Sequence, residues 1–492
     1  MNKLIILIAL LYIFSSFRGY AQTGNDMSVK NMNLTSESLK LTRGDENIGG
    51  KFKDSKETVF ENEDNVCFIG NSITFNGSFY HNIALFYATR FPQKVITVYN
   101  CGVGGNMAAN VINRMDNDIL IHSPQWSVLM LGMNDVNKSL YAINSDGKPG
   151  IDKKRQEALN TYRKNYEQII LTLLEHNSRI ILQTPSIYDQ TAVLPAESFF
   201  GRNDALKTCA DYVKEFGKKY DLKGIDYWSL MEKITRQVQL TNPNETIIGQ
   251  DRVHPGPVGH FIMSYQFLKS MKIQPLISDI VIYSGKSGKL STENCTITDL
   301  SIKDKQIQFT CLEKSLPFPV VKNTERALEL VPFMNELNRE FITIKRLKQG
   351  NYQLKIDDVN LGTYSEKEFD RGINLATITG SPQYIQALKV LTLFQEYWHS
   401  EAQLRWVRAI EIGRLNPKNI YTVDEAEKLF NTQINETTDT TGTVYKDLIY
   451  LRKNYVDIKN NEKQKKDNMV SLHKLIYQVN QPVAHQYEIV KL

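Results

Sequence analysis

Two short stretches contain residue types that can act together on a substrate. Ser72 follows an apolar run in CFIGNSITFNGS, and its hydroxyl is a weak nucleophile that needs a neighbouring base. The second stretch, DRVHPGPVGH, contains Asp251 and His254. In a loop, a carboxylate three positions before an imidazole can fold back onto Nδ1 and leave Nε2 free as a base. Ser72, His254 and Asp251 are therefore candidates for a nucleophile, its base and the acid that orients the base.

Two further loops offer hydrogen-bond donors. NCGVGGN contains Gly105, and glycines let backbone N–H groups approach a ligand closely. Met107 stands where a GxGxxG loop starting at Gly102 needs its last glycine, which excludes a nucleotide-binding loop. LGMND contains Asn134, whose side-chain amide is a neutral donor of two hydrogen bonds.

Each of these features also has a purely structural explanation. Ser72 could be an ordinary helix cap, a glycine pair is usually a turn, and an asparagine after a strand is usually a cap. A DxxH spacing is common by chance. The occurrence of all four stretches in this order, at one edge of one predicted sheet, favours a functional site.

The elements that must position these residues alternate along the chain. β-rich runs begin at Val66, Val95, Trp126, Arg179 and Leu222. Helical stretches alternate with them at Phe79–Arg90, Lys153–His176, Asp204–Tyr220 and Pro257–Met271. This alternation predicts an α/β fold with a parallel sheet covered on both faces. Ligands of such sheets bind outside the carboxyl ends of the strands, where Ser72, Gly105 and Asn134 are predicted to lie.

The four stretches resemble the sequence blocks of the SGNH hydrolases, a superfamily of GDSL-type esterases. The matching residues are Ser72 in GNSIT, Gly105 in GVGGN, Asn134 in GMND and His254 in DRVHP. Asn71 replaces the aspartate of the GDS form. The resemblance covers about residues 66–271 and implies a flavodoxin-like three-layer fold around a parallel sheet.

The resemblance also implies a role for each site residue. Ser72 would attack an ester carbonyl, with His254 as its base and Asp251 fixing the tautomer of the imidazole. The N–H groups of Ser72 and Gly105 and the side chain of Asn134 would bind the oxyanion. Water would then hydrolyse the acyl-serine intermediate. We expect no metal and no other cofactor in this chemistry.

The N-terminus predicts export. One positive charge precedes the apolar stretch 4–14, and the small residues Gly19 and Ala21 follow it at the positions that a signal peptidase reads. We expect a signal peptide over residues 1–21, a polar arm over 22–65, and a mature protein in the periplasm or outside the cell. An uncleaved membrane anchor is the alternative, although the stretch is shorter than the about 20 residues that span a bilayer.

Composition excludes several classes of protein. With 41% hydrophobic and 23% charged residues, the 492-residue chain is predicted to be globular, with about two or three domains. The formal net charge of +5 is small and dispersed, apart from KNNEKQKKDN, so we expect no nucleic-acid partner. Five scattered cysteines fit neither a disulfide framework nor a CxxC zinc site, although Cys295 and Cys311 could pair.

Two insertions near the carboxyl edge of the sheet bear on the substrate. They span Asn137–Gly150 and Ser186–Asn203. They bring four aromatic residues near the predicted crevice: Tyr141, Tyr188, Phe199 and Phe200. Aromatic faces at a wet rim suit sugar rings, so these residues are candidates for substrate binding. The alternative is that the rings pack the loops onto the body of the protein.

The predicted SGNH hydrolase domain spans residues 66–276, and the rest of the chain differs in character. Alternating runs bounded by turns predict an accessory β domain over 277–370. Helices with an apolar stripe predict a helical C-terminal region over 371–492. This region could cover the α/β domain or carry a binding face of its own.

The favoured function is an exported serine esterase that removes O-acetyl groups from a polysaccharide or oligosaccharide. An esterase, lipase or thioesterase acting on a non-carbohydrate ester is one alternative. An acyltransferase would use the same acyl-serine, and a non-catalytic glycan-binding protein would share the fold. A further alternative is that the C-terminal half carries the main function at the cell surface.

Overall fold

The computed structural model of the protein describes residues 60–285, 289–416 and 418–492. The predicted signal peptide, 1–21, and residues 22–59 of the predicted polar arm lie outside the described residues.

The first part of the chain forms a parallel five-stranded sheet with strand order β2-β1-β3-β4-β5. These strands are β1 Asn65–Gly70, β2 Thr97–Gly102, β3 Trp126–Met130, β4 Arg179–Gln183 and β5 Lys223–Ile225. Every residue of β3 is buried, because helices cover both faces of the sheet. The predicted α/β fold class is confirmed.

Eight helices accompany this sheet in the described part of the α/β domain. They are α1 Ser72–Asn76, α2 Ser78–Arg90, α3 Ala108–Asn113, α4 Met115–Asp118, α5 Ile151–Glu175, α6 Arg202–Lys219, α7 Tyr227–Thr241 and α8 Pro257–Ser270. Short 3₁₀ turns span Leu120–His122 and Lys138–Tyr141. The fifth β-rich run, LKGIDYW, extends from Leu222 to Trp228 in the sequence, but the strand is shorter. It stops earlier because the Asp226 side chain accepts a hydrogen bond from Ser229 N at 3.1 Å and caps α7.

Two sheets pack around a second hydrophobic core that includes Ile280, Phe309, Ile342, Leu354 and Ile489. Their strands are β6 Leu276–Tyr283, β7 Leu290–Glu293, β8 Cys295–Lys303, β9 Gln306–Glu313, β10 Arg339–Lys345, β11 Asn351–Ile356, β12 Val359–Ser365, β13 Ile373–Asn374 and β14 His485–Lys491. The four-stranded sheet has the order β13-β10-β6-β7 and the five-stranded sheet has the order β12-β11-β14-β9-β8.

The prediction that residues 371–492 are helical missed β13 and β14. β14 is the last strand of the chain, yet it lies in the middle of its sheet, between β11 and β9, and pairs antiparallel with both. Its buried positions, His485, Tyr487 and Ile489, alternate with more exposed ones as a half-buried strand requires. The accessory β structure therefore includes residues 485–491, which were assigned to the helical region.

The helices of the second half connect the two parts of the molecule. They are α9 Glu325–Leu330, α10 Phe333–Leu337, α11 Glu366–Arg371, α12 Pro382–Arg414, α13 Val423–Asn435, α14 Thr443–Asn460 and α15 Glu462–Val479, with a 3₁₀ turn at Leu375–Thr377. Trp406 and Ile410 of α12 form a hydrophobic cluster with Phe75 of α1 and Val103, which follows β2. The helical region therefore covers part of the α/β domain. Among the described helices, none has the length and apolar character needed to cross a membrane.

Cys295 and Cys311 lie on the neighbouring strands β8 and β9. Both are buried free thiols, so the structure does not contain the disulfide that the sequence allowed.

Two buried carboxyl groups lie side by side in the accessory β structure. Glu340 is fully buried, and burial together with the charge of Glu313 raises its pKa well above the usual range. Glu313 is also buried and accepts hydrogen bonds from Ser278 Oγ at 3.0 Å and Tyr487 Oη at 3.2 Å. Glu340 is therefore the partner that remains protonated.

We expect Glu340→Gln to raise the midpoint of thermal unfolding by roughly 2–4 °C at pH 8 and by less at pH 5. Because the folded protein favours the neutral form of Glu340, this residue does not destabilise the fold at pH values below its pKa in the unfolded chain. Destabilisation grows as the pH rises toward the raised folded-state pKa. Differential scanning calorimetry at both pH values, with exposed Glu396→Gln as the control, measures the difference. A midpoint at pH 8 that is equal to or below that of the unchanged protein contradicts this account.

Candidate active site

Ser72 is the first residue of α1, directly beyond the carboxyl end of β1. The cap of this helix is Asn71, whose Oδ1 accepts a hydrogen bond from Ile73 N at 3.1 Å. The explanation of Ser72 as an ordinary capping serine therefore does not hold, because Asn71 takes that position. The Ser72 hydroxyl remains available for another partner.

Two glycines let α1 lie directly across the strand ends. Gly70 and Gly102 are paired in the register of β1 and β2. A Cβ atom at Gly102 would lie 2.2 Å from Phe75 N, and one at Gly70 would lie 2.1 Å from Thr74 Oγ1. Any side chain at either position would displace α1, and with it Ser72, from the sheet edge.

The structure brings together the three residues that the sequence proposed as nucleophile, base and acid. His254 Nε2 lies 2.7 Å from Ser72 Oγ, and His254 Nδ1 lies 2.5 Å from Asp251 Oδ2. The other carboxylate oxygen of Asp251 accepts the backbone N–H groups of Val253 and His254, both at 3.0 Å. One carboxylate therefore folds the loop and also orients the imidazole.

These contacts keep Asp251 ionised. Burial raises the pKa of this carboxyl, but the hydrogen bond and charge of His254 and the two backbone donors outweigh burial, and the pKa falls to about 2. A permanently charged Asp251 favours the tautomer of His254 with its proton on Nδ1, which leaves Nε2 as the acceptor for the Ser72 hydroxyl.

Arg252, between Asp251 and His254, is a residue that the sequence analysis missed. It is buried with φ +65°, and its guanidinium reaches the insertion Ser186–Asn203. It donates there to four carbonyl oxygens, those of Asp189 at 3.1 Å, Ala192 at 2.8 Å, Leu194 at 3.2 Å and Ala196 at 2.9 Å. The insertion and the loop that carries Asp251 and His254 therefore form one connected unit.

The candidate oxyanion donors lie on the neighbouring strand ends. Gly105 is exposed and has φ +74°, a conformation that glycine adopts without strain. Asn134 Nδ2 donates to the backbone oxygen of Asn106 at 3.0 Å. Because an amide group has two N–H bonds, this contact fixes the side chain of Asn134 and leaves one donor for a ligand.

Asp135 connects the loop that contains Gly105 to the loop that contains Asn134. The sequence did not single out this residue. Its carboxylate accepts Ala108 N at 2.8 Å, at the start of α3, and Gly132 N at 3.1 Å. Burial raises its pKa to about 6, although the backbone donors act in the opposite direction. Its position directly after Asn134 in LGMND is the one feature of the sequence that could have indicated its role.

The predicted aromatic rim is only partly present. Tyr188 is 1% exposed, and its hydroxyl accepts a hydrogen bond from Phe199 N at 3.0 Å. Tyr141 is also buried, with the Arg155 guanidinium 4.8 Å from its ring centroid. Both tyrosines pack the insertions onto the body, so neither forms a rim. Phe199 is half-buried, whereas Phe200 is 64% exposed.

A buried ion-pair network connects α12 to the site. Asp118 accepts two hydrogen bonds from Arg405, Nη1 to Oδ1 at 2.6 Å and Nη2 to Oδ2 at 2.9 Å, and it also pairs with Arg114. Arg405 Nε donates to the backbone oxygen of Gly102 at 2.7 Å. Burial opposes ionisation of Asp118, but Arg405 and Arg114 hold its pKa well below the usual range.

Arg114 extends this network to the strand ends. Its Nη2 donates to the backbone oxygens of Gly70 at 3.2 Å and Cys101 at 2.9 Å, and its Nε donates to Asn106 Oδ1 at 2.9 Å. Asn106 is the residue whose backbone oxygen fixes Asn134. A continuous set of contacts therefore runs from α12 to the candidate oxyanion donors.

A sequence profile of the GDSL-like lipase/acylhydrolase family matches residues 66–267, the segment that contains all these site residues. This segment is an SGNH hydrolase domain. An acetylxylan esterase of Geobacillus stearothermophilus is 23% identical over 181 residues, which are 37% of this chain and 74% of that protein. Together these matches support an ester-hydrolysing enzyme.

The similarity extends beyond the SGNH domain in one solved structure. A gut microbial diltiazem-metabolizing enzyme is 28% identical, with a TM-score of 0.81 over 88% of this chain and 99% of that one. The two chains therefore share the accessory β structure and the helical region as well. A solved acetylxylan esterase from Geobacillus stearothermophilus covers 44% of this chain and 96% of its own, with 22% identity and a TM-score of 0.36.

Asn134→Ala should lower kcat by about two to three orders of magnitude, the usual effect of losing one oxyanion donor. The substitution removes the side-chain amide, so the N–H group of Asn134 that is free to bind the oxyanion no longer stabilises the transition state. Steady-state hydrolysis of 4-nitrophenyl acetate measures it, with exposed Asn160→Ala on α5 as the matched control. Unchanged turnover in Asn134→Ala would remove this side chain from the site.

Arg405→Met should lower kcat more than tenfold while changing KM little, because Arg405 positions the oxyanion donors through Asp118, Arg114 and Asn106. The same substitution should have a much smaller effect in an Asn134→Ala background, since both changes act on the same donor. Rates are divided by the active-site concentration from fluorophosphonate titration, which removes any contribution of unfolded enzyme. Arg405→Lys should retain part of the rate.

A purely structural role for Arg405 predicts a different result. The loss from Arg405→Met would then be the same factor in both backgrounds, and it would disappear after normalisation to titrated active sites.

Proposed function

We propose that this protein removes O-acetyl groups from a polysaccharide or oligosaccharide through an acyl-serine intermediate. The observation that carries the proposal is the pair of hydrogen bonds that connect Ser72 Oγ to His254 and His254 to Asp251. They lie next to the Gly105 loop, the segment NCGVGGN that follows the neighbouring strand. These groups have the geometry that nucleophilic acyl transfer needs.

In the first half of the reaction, Ser72 Oγ attacks the ester carbonyl carbon while His254 Nε2 takes the hydroxyl proton. Asp251 stabilises the imidazolium that forms. The carbonyl oxygen becomes an oxyanion and accepts hydrogen bonds from the N–H groups of Ser72 and Gly105 and from Asn134 Nδ2. The tetrahedral intermediate then collapses, and the sugar oxygen leaves with the proton from His254.

In the second half, water attacks the acetyl-serine. His254 removes a proton from this water, and the second tetrahedral intermediate uses the same donors. Collapse breaks the bond between the acetyl carbon and Ser72 Oγ, and His254 returns the proton to Ser72. The products are acetic acid and the free enzyme.

The carbohydrate substrate is supported by a relative rather than by the site itself. The Geobacillus stearothermophilus protein is named an acetylxylan esterase, and the match spans 74% of its length. Export is the other argument: the predicted signal peptide over residues 1–21 would bring the enzyme to polysaccharides outside the cytoplasm.

A small-molecule ester is the second candidate substrate. The enzyme with the same overall architecture, at 28% identity, is named for the metabolism of a drug, diltiazem. An esterase with that selectivity would use the same acyl-serine chemistry on a compact alcohol. Diltiazem contains an acetate ester, so one assay can compare both candidates.

Acetate release is the test of this proposal. The mature chain from Gln22 is incubated with acetylated xylan, acetylated pectin, diltiazem and 4-nitrophenyl acetate, with Ser72→Ala as the control. We expect release from a glycan that falls by at least about 10³-fold in Ser72→Ala, since the covalent route is lost. Release only from diltiazem and 4-nitrophenyl acetate would favour the second candidate. Activity that persists in Ser72→Ala would contradict the serine mechanism.

A further inference from the structure

A cavity of about 140 Å³ lies between the Gly105 loop and the C-terminal end of α12. Gly105, Asn106 and Asn110 line it from the SGNH domain, and Ile412 and Arg414 line it from α12. The candidate oxyanion donor Gly105 is therefore shared between the acyl site and this cavity. A group bound in the cavity would contact the loop that supplies this donor.

Three asparagine side chains of the SGNH domain line this cavity, those of Asn106, Asn110 and Asn113, and two of them have their oxygen atoms already occupied. Asn106 Oδ1 already accepts Arg114 Nε at 2.9 Å, and Asn110 Oδ1 accepts Met107 N at 2.9 Å. Both partners can only donate, so the orientations of the two amides are fixed. The NH₂ groups of Asn106 and Asn110 are consequently the parts that a ligand can use.

Arg414 adds a charged hydrogen-bond donor to the lining of the cavity, and its side chain is partly buried. Its side chain is half-buried, and burial lowers its pKa although the charge of Asp447 acts against this. Among the described residues, Arg414 Nε has no hydrogen-bond partner, and neither has Asp447 Oδ2. Asp447 therefore neutralises part of the charge of Arg414 but does not satisfy its Nε donor.

We propose that this cavity binds a carboxylate of the substrate, with Arg414 as its ionic partner. An ionised carboxylate only accepts hydrogen bonds, so it can pair with the NH₂ groups of Asn106 and Asn110. It can also accept two parallel hydrogen bonds from a guanidinium group such as that of Arg414. The inference rests on the proposed esterase function and narrows it. The preferred substrates are acetyl esters whose alcohol part is acidic, such as acetylated uronic acid residues, rather than acetylated neutral sugars.

Two matched pairs of substrates test the inference. The first pair is acetylated oligogalacturonides as the free acid and after methyl esterification, which removes the charge and leaves the sugar and the acetyl group. The second pair is 4-acetoxybenzoate and its methyl ester. Acetate release gives kcat/KM for each substrate with the unchanged enzyme, Arg414→Gln and Arg414→Lys. Arg236→Gln, a change of a 75% exposed arginine on α7, is the matched control.

We expect the ratio of kcat/KM between acid and methyl ester to fall about tenfold in Arg414→Gln, the usual effect of losing a charge-assisted hydrogen bond. The fall should come mainly from KM, and Arg414→Lys should retain part of the ratio. Arg236→Gln should leave the ratio unchanged. The same ratio in Arg414→Gln as in the unchanged enzyme would overturn the inference.

The two substrate pairs separate this inference from the proposed function. If the oligogalacturonides are inert but the benzoate pair shows an Arg414-dependent preference, the carboxylate site stands and the carbohydrate substrate fails. If acetylated glycans are hydrolysed without any preference for the acid, the carbohydrate esterase stands and the carboxylate site fails.

Discussion

The rest of the site depends on the ion pairs that the buried carboxylate of Asp118 forms with Arg114 and Arg405. Asp118 is 2% exposed and pairs with Arg114 from its own domain and Arg405 from the C-terminal half. A buried charge of this kind is stable only while its ion-pair partners are present, and these also include Arg408, whose Nε lies 3.5 Å from Asp118 Oδ1. Arg114 and Arg405 use their remaining N–H groups on the carbonyl oxygens that end β1 and β2. This ion-pair network therefore sets the shape of the sheet edge from which Ser72 and Gly105 project.

This arrangement links the C-terminal half of the chain to the candidate site. The helix α12 supplies Arg405 to the support of the donor loops and Arg414 to the neighbouring cavity. Trp406 and Ile410 bury apolar surface against Phe75 and Val103 between these two points. Residues that form ion pairs, residues that pack in the apolar cluster and residues that line the cavity thus follow one another along a single helix. The SGNH domain and the helical region are therefore packed together through α12 and are not two separate modules.

Local signals made the α/β fold and the candidate site predictable from the sequence. Ser72, Gly105, Asn134 and the Asp251–His254 pair each lie within a short segment whose residue types and flanking elements reveal its position. Arg405 could not be found in this way, because it pairs with Asp118 across 287 residues and nothing near either residue indicates the other. For Tyr188 the sequence left two interpretations open, a rim residue or a packing residue, because an aromatic residue in a loop has the same local pattern whether it is buried or exposed. β14 was missed because seven residues alternate too briefly to stand out after four long helices.

The central position of β14 affects how the accessory sheet folds. Residues 485–491 lie between β11 and β9, so each of these two strands keeps an unpaired edge until β14 docks between them. The helices α12 to α15 separate β14 from β11 along the chain, so the sheet can close only after this helical region has been synthesised. A substitution that prevents β14 from pairing would therefore leave two open strand edges, and such edges are templates for association with other chains.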